Sequence, residues 1–296
     1  MEVLPLGVSM RFSEIGQQLR AFRLESGMRA EEIAARLGVS RAALYRYEKG
    51  EVIKLDTVKR MAELLNLSPL TLLGVGVEYY GKPIAYFERL RQLEETVDQV
   101  LEVQGPVQYL TTSEGFDAAL LMVLEEAGTG LDERERAEHV LTTLAARKRM
   151  YAARRPTLIS ILPLSAVRRF LHTGLASSIP LPEAVRRRCL QVALNEVRRV
   201  ADMMEAEPMG LQFGVLAGPE PTSVFSVLRD RDKVWLAINP FLPDGPPTGQ
   251  TGVAMITAAD DAVNAHQRVA ETSWRQALKG AAGAAKLREL IAEATA

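Results

Sequence analysis

The residues from Ser40 to Gly50 combine hydrogen-bond donors with a spacing that places them on one face of a short helix. Leu44 and Tyr47 are three residues apart and would face inward, toward a core. The positions that would face outward are Arg41, Ala42, Tyr45 and Arg46. A guanidinium group can donate two hydrogen bonds to O6 and N7 of guanine, so this exposed face could contact bases.

A set of short helices must position that face. Apolar periodicity and capping residues predict helices over residues 13–26, 30–37, 40–49, from 56 onward, and 68–73. Gly38 separates the second helix from the third, and the small Ala34 would allow the two to approach closely. Two short helices joined by such a turn are typical of a helix-turn-helix, whose second helix enters the major groove of DNA.

Residues 13 to about 76 resemble the Cro/repressor-type helix-turn-helix family, often called the XRE family, over about a fifth of the chain. The residues that carry the resemblance are Ile33-Ala34, Leu37-Gly38-Val39-Ser40, Leu44, Tyr47-Glu48-Lys49-Gly50, Leu55, Val58, Met61, Ala62 and Leu65. The resemblance implies a five-helix DNA-binding domain that usually works as a dimer on a palindromic operator.

The same resemblance assigns roles to individual residues. It implies base contacts from Arg41, Ala42 and Arg46, and contacts to the DNA backbone or neighbouring bases from Ala43, Tyr45 and Lys49. Where the family commonly has a phosphate-binding Gln, this chain has Ala30, and we expect Arg29 to supply the contact. Ser40 and Lys54 complete the predicted DNA-binding set. Arg23 and Glu48 match an ion pair that joins the first helix to the recognition helix.

The rest of the chain predicts a different architecture. A helix over residues 84–103, with apolar Leu90, Leu93, Val97 and Val100, would link the parts and help dimerisation. Further helices, and a small sheet between residues 211 and 256, predict an α+β region. We therefore expect a mainly α chain with three parts: a DNA-binding domain over 1–82, a linker helix over 83–104, and a regulatory domain over 105–296.

Composition sets limits on the class of protein. The 296 residues carry a formal charge of −1 and one cysteine, which excludes an intrachain disulfide and a multi-cysteine metal cluster. Residues 11–60 hold eleven Arg or Lys against seven Asp or Glu, so they carry +4 and the remainder carries −5. No apolar run approaches a membrane span, and Glu2 stands where a signal peptide has a cation. We expect a cytoplasmic protein without cofactor or metal.

Three features of the larger region allow more than one interpretation. Basic runs could bind an anionic effector or lie on solvated helix faces: Arg147-Lys148-Arg149, Arg154-Arg155, Arg168-Arg169 and Arg186–Arg188. Aromatic and methionine side chains could line an effector pocket or form ordinary core: Trp235, Phe241, Trp274, Met203, Met204 and Met255. Cys189 could be a redox sensor or a core residue.

These observations predict a sequence-specific transcriptional regulator, bacterial and dimeric, that a small-molecule effector controls through its C-terminal region. An alternative is an antitoxin-like DNA-binding protein whose C-terminal region binds a protein partner. We expect no enzyme, because the chain has no Walker loop, GxSxG, HExxH or dinucleotide fingerprint. The dipeptides Ala127-Gly128 and Ala217-Gly218 could be sites of self-cleavage, but the sequence lacks the usual surroundings of the nucleophile that this reaction requires. We therefore expect no self-cleavage.

Overall fold

The computed structural model describes residues 12–51, 53–67, 69–72, 76–103, 105–126, 131–175, 180–241 and 252–295. The chain divides into two compact units, Met1–Tyr80 and Gly81–Ala296. The fold is mainly helical, with the N-terminal helices in the first unit and a mixed sheet in the second, which confirms the predicted fold class.

The first unit is built from short helices. In chain order they are α1 Phe12–Ser26, α2 Ala30–Leu37, α3 Arg41–Glu48, α4 Leu55–Leu64 and α5 Pro69–Leu72, and a strand, β1 Val77–Tyr80, follows. These bounds agree with the predicted helices to within one or two residues. The strand was not predicted.

The core of the first unit consists of the apolar positions that recur at helical spacing. Ile15, Leu19 and Phe22 of α1 are buried, and so are Ile33 and Leu37 of α2. The rings of Phe22 and Tyr80 stack with their centroids 5.4 Å apart, which anchors β1 against α1. Burial of such side chains stabilises the unit by ~1.5–3 kcal/mol each, so the helices are held mainly by their shared core.

Gly38 ends α2 and begins the turn that leads to α3. Its φ of 67° lies in the left-handed region, and the N–H of Val39 donates to the carbonyl of Ala34 at 3.0 Å. This geometry closes the C-terminal end of α2. Any other residue with a side chain would cost ~1 kcal/mol or more in this conformation, so glycine fixes where the turn lies.

The second unit alternates helices and strands. Its helices are α6 Pro83–Glu94, α7 Glu114–Glu126, α8 Leu131–Arg154, α9 Leu164–Thr173, α10 Glu183–Ala206, α11 Asp260–Gln276 and α12 Gly280–Thr295, and a short 3-10 turn spans Tyr109–Thr111. Its strands are β2 Gln99–Val103, β3 Thr157–Pro163, β4 Leu211–Leu216, β5 Phe225–Arg229, β6 Val234–Ile238, β7 Ala254–Thr257 and β8 Leu278–Lys279.

These strands form one mixed sheet among the described residues of the unit, in the order β7-β6-β5-β2-β3-β4-β8. The three strands β2, β3 and β4 run parallel, with Val100 opposite Leu158 and Ile161 opposite Gly214. The pairs β2–β5, β5–β6, β6–β7 and β4–β8 are antiparallel. The sheet is therefore larger than the small sheet predicted between residues 211 and 256, because β2, β3 and β8 join it.

The predicted linker helix over residues 84–103 is wrong in its second half. The helix ends at Glu94, and Gln99–Val103 form the central strand β2 instead. The expected dimer seam is also covered within the chain, because Leu90, Leu93 and Val97 are buried. Both segments belong to the second compact unit, so they do not form a separate linker.

One face of the sheet packs on α11 and the other side of the unit holds buried charges. Val103, Phe225 and Leu236 share an apolar cluster with Val263 and Ala270 of α11.

Among the described residues, no helix is long and apolar enough to cross a membrane, and no cluster of three or more metal-ligating side chains occurs.

Buried charges near β2 are paired. The Nε and Nη2 atoms of Arg147 donate to Glu94 at 2.9 and 2.7 Å, and both side chains are almost inaccessible. Glu102, in the centre of β2, accepts from Gln108 and from Oγ of Ser226. Partners of this kind are required because an unpaired charge in such a position would be strongly destabilising.

Cys189 lies in α10 with no exposed surface. Burial raises the pKa of its thiol, which lowers the fraction of reactive thiolate. The arginines that precede it in the chain do not reverse this effect. The structure therefore favours the core interpretation of Cys189 over the redox sensor.

Candidate nucleic-acid interface

The N-terminus of α3 is fixed by a side-chain cap. Ser40 has extended backbone geometry, with φ −74° and ψ 152°, and its Oγ accepts a hydrogen bond from the N–H of Ala43 at 3.1 Å. A serine in this position stabilises a helix by ~1 kcal/mol relative to alanine. The cap sets the first turn of α3, which is the part that a helix-turn-helix presents to base edges.

We call the exposed side chains of α3 and its C-cap the outer face of α3, defined by Arg41, Ala42, Tyr45, Arg46 and Lys49. On the opposite side of the helix, Leu44 is fully buried and Tyr47 is half-buried. The helical period therefore separates the core contacts of α3 from its outer face, as the spacing of these residues predicts.

Arg41 is held by neighbours that leave it open to solvent. Its Nη1 lies 2.7 Å from Oε1 of Glu31, its Nη2 donates to the hydroxyl of Tyr45 at 3.2 Å, and its guanidinium lies 5.3 Å from the centroid of the Tyr45 ring. The hydrogen bond to Tyr45 and the charge of Glu31 raise the pKa of Arg41 above its ordinary value. Arg41 is thus a permanent, oriented cation on the outer face of α3.

The other predicted cations are exposed as well. Arg46 Nε lies 3.6 Å from Oε2 of Glu51, with both side chains more than half exposed. Lys49, Arg29 and Lys54 make no hydrogen bond or ion pair through their side chains with any other residue that the structure describes. Exposed ion pairs are worth only ~0–1 kcal/mol, so exchanging them for phosphate or base contacts costs little.

Two of these cations lie at helix starts. Arg29 is the N-cap residue of α2 and Lys54 is the N-cap residue of α4, and neither side chain caps its own helix. Free N–H groups at a helix N-terminus attract anions, and a cation beside them strengthens the attraction for a phosphate group. In α2 the acidic Glu31 and Glu32 oppose this effect, but each is paired with an arginine.

Ala43 differs from the expectation. It was predicted to contact the DNA backbone or neighbouring bases, but its side chain is buried in the first unit. Its N–H is occupied by the Ser40 cap. Ala43 therefore has no exposed group comparable with those of Tyr45 and Lys49, and its small side chain serves the packing of α3.

Arg23 of α1 and Glu48 at the end of α3 are brought together. The Nε of Arg23 donates to Oε1 of Glu48 at 2.6 Å, and its Nη2 donates to Oε2 at 3.1 Å. A two-bond pair of this kind fixes direction as well as distance. The pair ties the C-terminal end of α3 to α1.

The sequence arguments missed two residues that shape this site. A Cβ placed on Gly16 of α1 would lie 2.5 Å from the carbonyl oxygen of Tyr47 and 2.6 Å from the backbone nitrogen of Gly50. Glycine is therefore required for α1 to approach the end of α3. A glycine inside an amphipathic helix pattern is a usable signal for such an approach. No sequence signal marks Glu31 as the partner of Arg41.

The first unit thus has the defining parts of a helix-turn-helix domain: two short helices joined by a glycine turn, with an exposed cationic face on the second. Comparison with known families agrees, because residues 14–73 match the family model described as a helix-turn-helix domain. The chain carries a domain of this class at its N-terminus.

Relatives of this chain include archaeal proteins. One from Pyrococcus horikoshii, PH1808, is named provisionally as an HTH-type transcriptional regulatory protein; it is 33% identical over 129 residues, 39% of this chain and 40% of its own length. PYRAB03670 of Pyrococcus abyssi has the same provisional name and is 31% identical over 130 residues, 40% of this chain and 39% of its own length. The matches thus span about two fifths of each relative. The expected bacterial origin receives no support from these archaeal relatives.

A solved structure with partial similarity is that of TrmBL2, described as an archaeal chromatin protein with a novel mode of DNA binding. The alignment covers 76% of this chain and 62% of that chain at 11% identity, with a TM-score of 0.32. Similarity at this level carries no argument about the fold or function of this chain.

Proposed function

We propose that this chain is a sequence-specific DNA-binding transcriptional regulator that inserts α3 into the major groove of its operator. The observation that supports the proposal is the outer face of α3, which presents two exposed arginines on a capped helix held by the Arg23–Glu48 pair. The helix-turn-helix match over residues 14–73 and the names of the archaeal relatives support the same class.

Within this proposal, Arg41 and Arg46 contact bases, together with Ala42. Arg29, Tyr45, Lys49 and Lys54 contact the DNA backbone. Phosphate contacts supply most of the affinity and fix the register, whereas contacts to base edges supply the sequence preference. No catalytic step is part of the function.

The active form is a homodimer on a palindromic operator. The support is the resemblance of the first unit to a family that usually dimerises. Two copies of α3 would then occupy successive major grooves on one side of the duplex, ~34–36 Å apart. A footprint with two equivalent half-sites at this spacing is the expected result, and a single asymmetric half-site would contradict it.

The second unit controls DNA binding in response to an effector. Its size supports this role, because Gly81–Ala296 is far larger than dimerisation requires. It also contains cavities in the size range of small-molecule sites, of about 490 and 390 Å³.

The base contacts are tested by two substitutions. Selection from random DNA with the full chain gives an operator, and its affinity is then measured by fluorescence anisotropy for Arg41→Ala and Arg46→Ala. Each variant should lose affinity by ~5- to 150-fold and relax its preference at one base pair, because a bidentate contact is worth ~1–3 kcal/mol of discrimination.

Arg187→Ala is the matched control, since Arg187 is an exposed arginine of α10 whose nearest carboxylate, Glu183, is 3.9 Å away. It should bind the operator like the unchanged protein. Unchanged affinity and base preference in both α3 variants would contradict the proposed mode of binding.

A further inference from the structure

A cavity of about 390 Å³ lies in the second unit, at the ends where two parallel strands begin. Pro156 precedes β3 and Gly210 precedes β4, and both line it. Its other walls are the last turns of α8, residues of α10, and the 3-10 turn that contains Thr111. Volumes of this size accommodate small organic molecules.

The cavity has charges of one sign only. Lys148, Arg155 and Arg199 line it, and none of its described lining residues is acidic. The hydroxyl-bearing side chains of Thr111, Thr112 and Tyr151 line it too. The sequence outside residues 11–60 carries a net −5, so a purely cationic cavity is a local departure from the average charge of this region. Such a lining favours an anion.

The three cations differ in how far they are already engaged. Lys148 Nζ lies 2.6 Å from Oδ2 of Asp117 and 4.8 Å from the centroid of the Tyr109 ring. Arg199 uses its Nε to donate to the carbonyl of Thr111 at 3.1 Å, and its Nη atoms have no protein acceptor among the described residues. The guanidinium of Arg155 has no hydrogen bond or ion pair within the described part of the chain. Arg155 and Arg199 thus keep donors for a ligand.

The backbone at Arg155 is unusual for an arginine. Its φ is 49°, in the left-handed region, and its N–H donates to the carbonyl of Tyr151 at 2.8 Å where α8 ends. Glycine or asparagine adopts this conformation at lower cost, so the conformation does not explain an arginine here. Strained residues of this kind cluster at functional sites, and the cationic side chain supplies a reason for this one.

Apolar side chains complete the cavity. Met203, Met209, Leu110 and Leu211 line it, and Met209 is fully exposed at its edge. Methionine side chains adapt to irregular ligand shapes because they are unbranched and polarisable. The neighbouring cavity of about 490 Å³ shares Met203 and the Pro208–Leu211 wall, and Trp274 extends its apolar lining. An anion with an apolar body would therefore find a matching contact for each of its parts.

We propose that this cavity binds a small organic carboxylate with an apolar chain or ring, whose carboxylate is held by Arg155 and Arg199. Met203 and Met209 cover the apolar body, and Lys148, which is paired with Asp117, belongs to the same lining. We further assign the bound carboxylate as the effector, and this assignment rests on the proposed function. The binding site itself requires only the second unit.

Isothermal titration of the full chain with octanoate and with 4-phenylbutyrate tests the site. Octanamide has the same apolar body as octanoate without the charge, and inorganic phosphate has charge without an apolar body. At least one carboxylate should bind, and octanamide and phosphate should bind at least about tenfold more weakly, as expected for losing a charge-assisted hydrogen bond or the apolar contact. Equal binding of octanoate and octanamide, or binding of neither carboxylate at millimolar concentration, overturns the proposal.

Arg155→Asn separates a binding role from a structural one. Asparagine tolerates the left-handed backbone, so Tm should be unchanged or higher, whereas the affinity for the carboxylate should fall about tenfold or more. Arg187→Ala removes an exposed arginine of α10 that does not line the cavity. It should leave both the Tm and the affinity for the carboxylate unchanged. Retained carboxylate affinity in Arg155→Asn overturns the assignment.

The regulatory role is measured separately, as operator affinity with and without a saturating concentration of the bound carboxylate. A change that disappears in Arg155→Asn supports the effector role. If the carboxylate binds through Arg155 and the operator affinity does not change, the site stands and the effector role fails. If Arg41→Ala and Arg46→Ala leave operator binding intact, the proposed mode of DNA binding fails and the carboxylate site is unaffected.

Discussion

Arg23 and Glu48 show how a single ion pair can set the direction of a helix. Their side chains are only 16% and 6% exposed, so each depends on the other for compensation of its charge. Burial acts to lower the pKa of Arg23, but the hydrogen bond to Glu48 and the charge of Glu48 outweigh it, and the pKa of Arg23 lies above its ordinary value. Removing the carboxylate would leave a half-buried cation without a partner.

Glu48→Gln should therefore weaken both the first unit and its hold on DNA. We expect a loss of ~1–3 kcal/mol, the usual cost of leaving one partner of a buried charged hydrogen bond unsatisfied. Hydrogen exchange of amides in α1 and α3 measures this loss, and anisotropy measures the accompanying fall in operator affinity.

Glu32→Gln provides the comparison, because Glu32 belongs to an exposed pair with Arg36 in α2. It should change stability by less than ~0.5 kcal/mol. If Glu48→Gln is as mild as this control, the pair does not orient α3.

Several residue-level features of the interface could be derived from the sequence. The inward Leu44 and the outward arginines follow from helical period, and the Ser40 cap follows from its place before α3. The burial of Ala43 and the pairing of Arg41 with Glu31 could not be derived. Both depend on how α2 and α3 pack, which spacing along one helix does not specify.

At the scale of elements, α1 and α3 can approach this closely because residue 16 is a glycine and has no side chain. Gly16 faces backbone atoms of Tyr47 and Gly50 that cannot rotate away. In an exposed helix, alanine is better than glycine by ~1 kcal/mol, so the sign of the effect here distinguishes close packing from helix propensity.

Gly16→Ala should destabilise the first unit by ~1–3 kcal/mol, as overpacking in a close contact does, and reduce operator affinity because the end of α3 is displaced. Urea unfolding, monitored by hydrogen exchange of the amides in α1, gives the change in the free energy of unfolding of the first unit.

Gln17→Ala is the neighbouring control, since Gln17 makes no side-chain hydrogen bond or ion pair with other described residues. It should stay within ~0.5 kcal/mol of the unchanged chain. A stabilising Gly16→Ala would show that the two helices can separate freely.

The prediction for residues 84–103 failed for a physical reason. The apolar spacing of Leu90, Leu93, Val97 and Val100 continues a helical pattern through a point where the chain turns into β2. The alternation expected of a strand is hidden, because the buried position between Leu101 and Val103 is the charged Glu102. Of its buried partners, Ser226 is distant in sequence and Gln108 lies after the strand has ended, so neither gives a local signal of a strand at Glu102.

Strand β3 was missed for the opposite reason. The run Thr157–Pro163 is almost uniformly apolar, because a parallel strand inside a sheet is covered on both faces. Such a run cannot be distinguished from a buried helix by period alone. Strands β4 to β7, which turn residues separate, make up the small sheet that the sequence predicted between residues 211 and 256.

For the whole molecule, net charge is a poor guide to behaviour with DNA. The formal charge is −1, yet residues 11–60 carry +4. Operator binding should weaken steeply with salt, since each neutralised phosphate contributes a slope of about −0.9 in log affinity against log salt concentration.

Lys49→Ala should make that slope shallower by ~0.9 while leaving the base preference unchanged, because a phosphate contact is independent of sequence. Affinity titrations at several salt concentrations measure the slope.

Lys286→Ala, in α12, removes the same charge from the second unit and should leave the slope as it was. An unchanged slope in Lys49→Ala would remove Lys49 from the set of phosphate contacts.

The order of strands in the sheet has a consequence for the time course of folding. The first unit is complete in the chain once its last element has ended at Tyr80. In the second unit, β2 pairs with a strand about sixty residues later, and β4 must wait for Leu278–Lys279. The second unit therefore cannot be completed before Lys279 has been added to the chain, and domains fold N-terminal first during synthesis. A newly made chain therefore completes its helix-turn-helix before the unit proposed to regulate it. During that interval the helix-turn-helix is folded and the proposed regulatory unit is not.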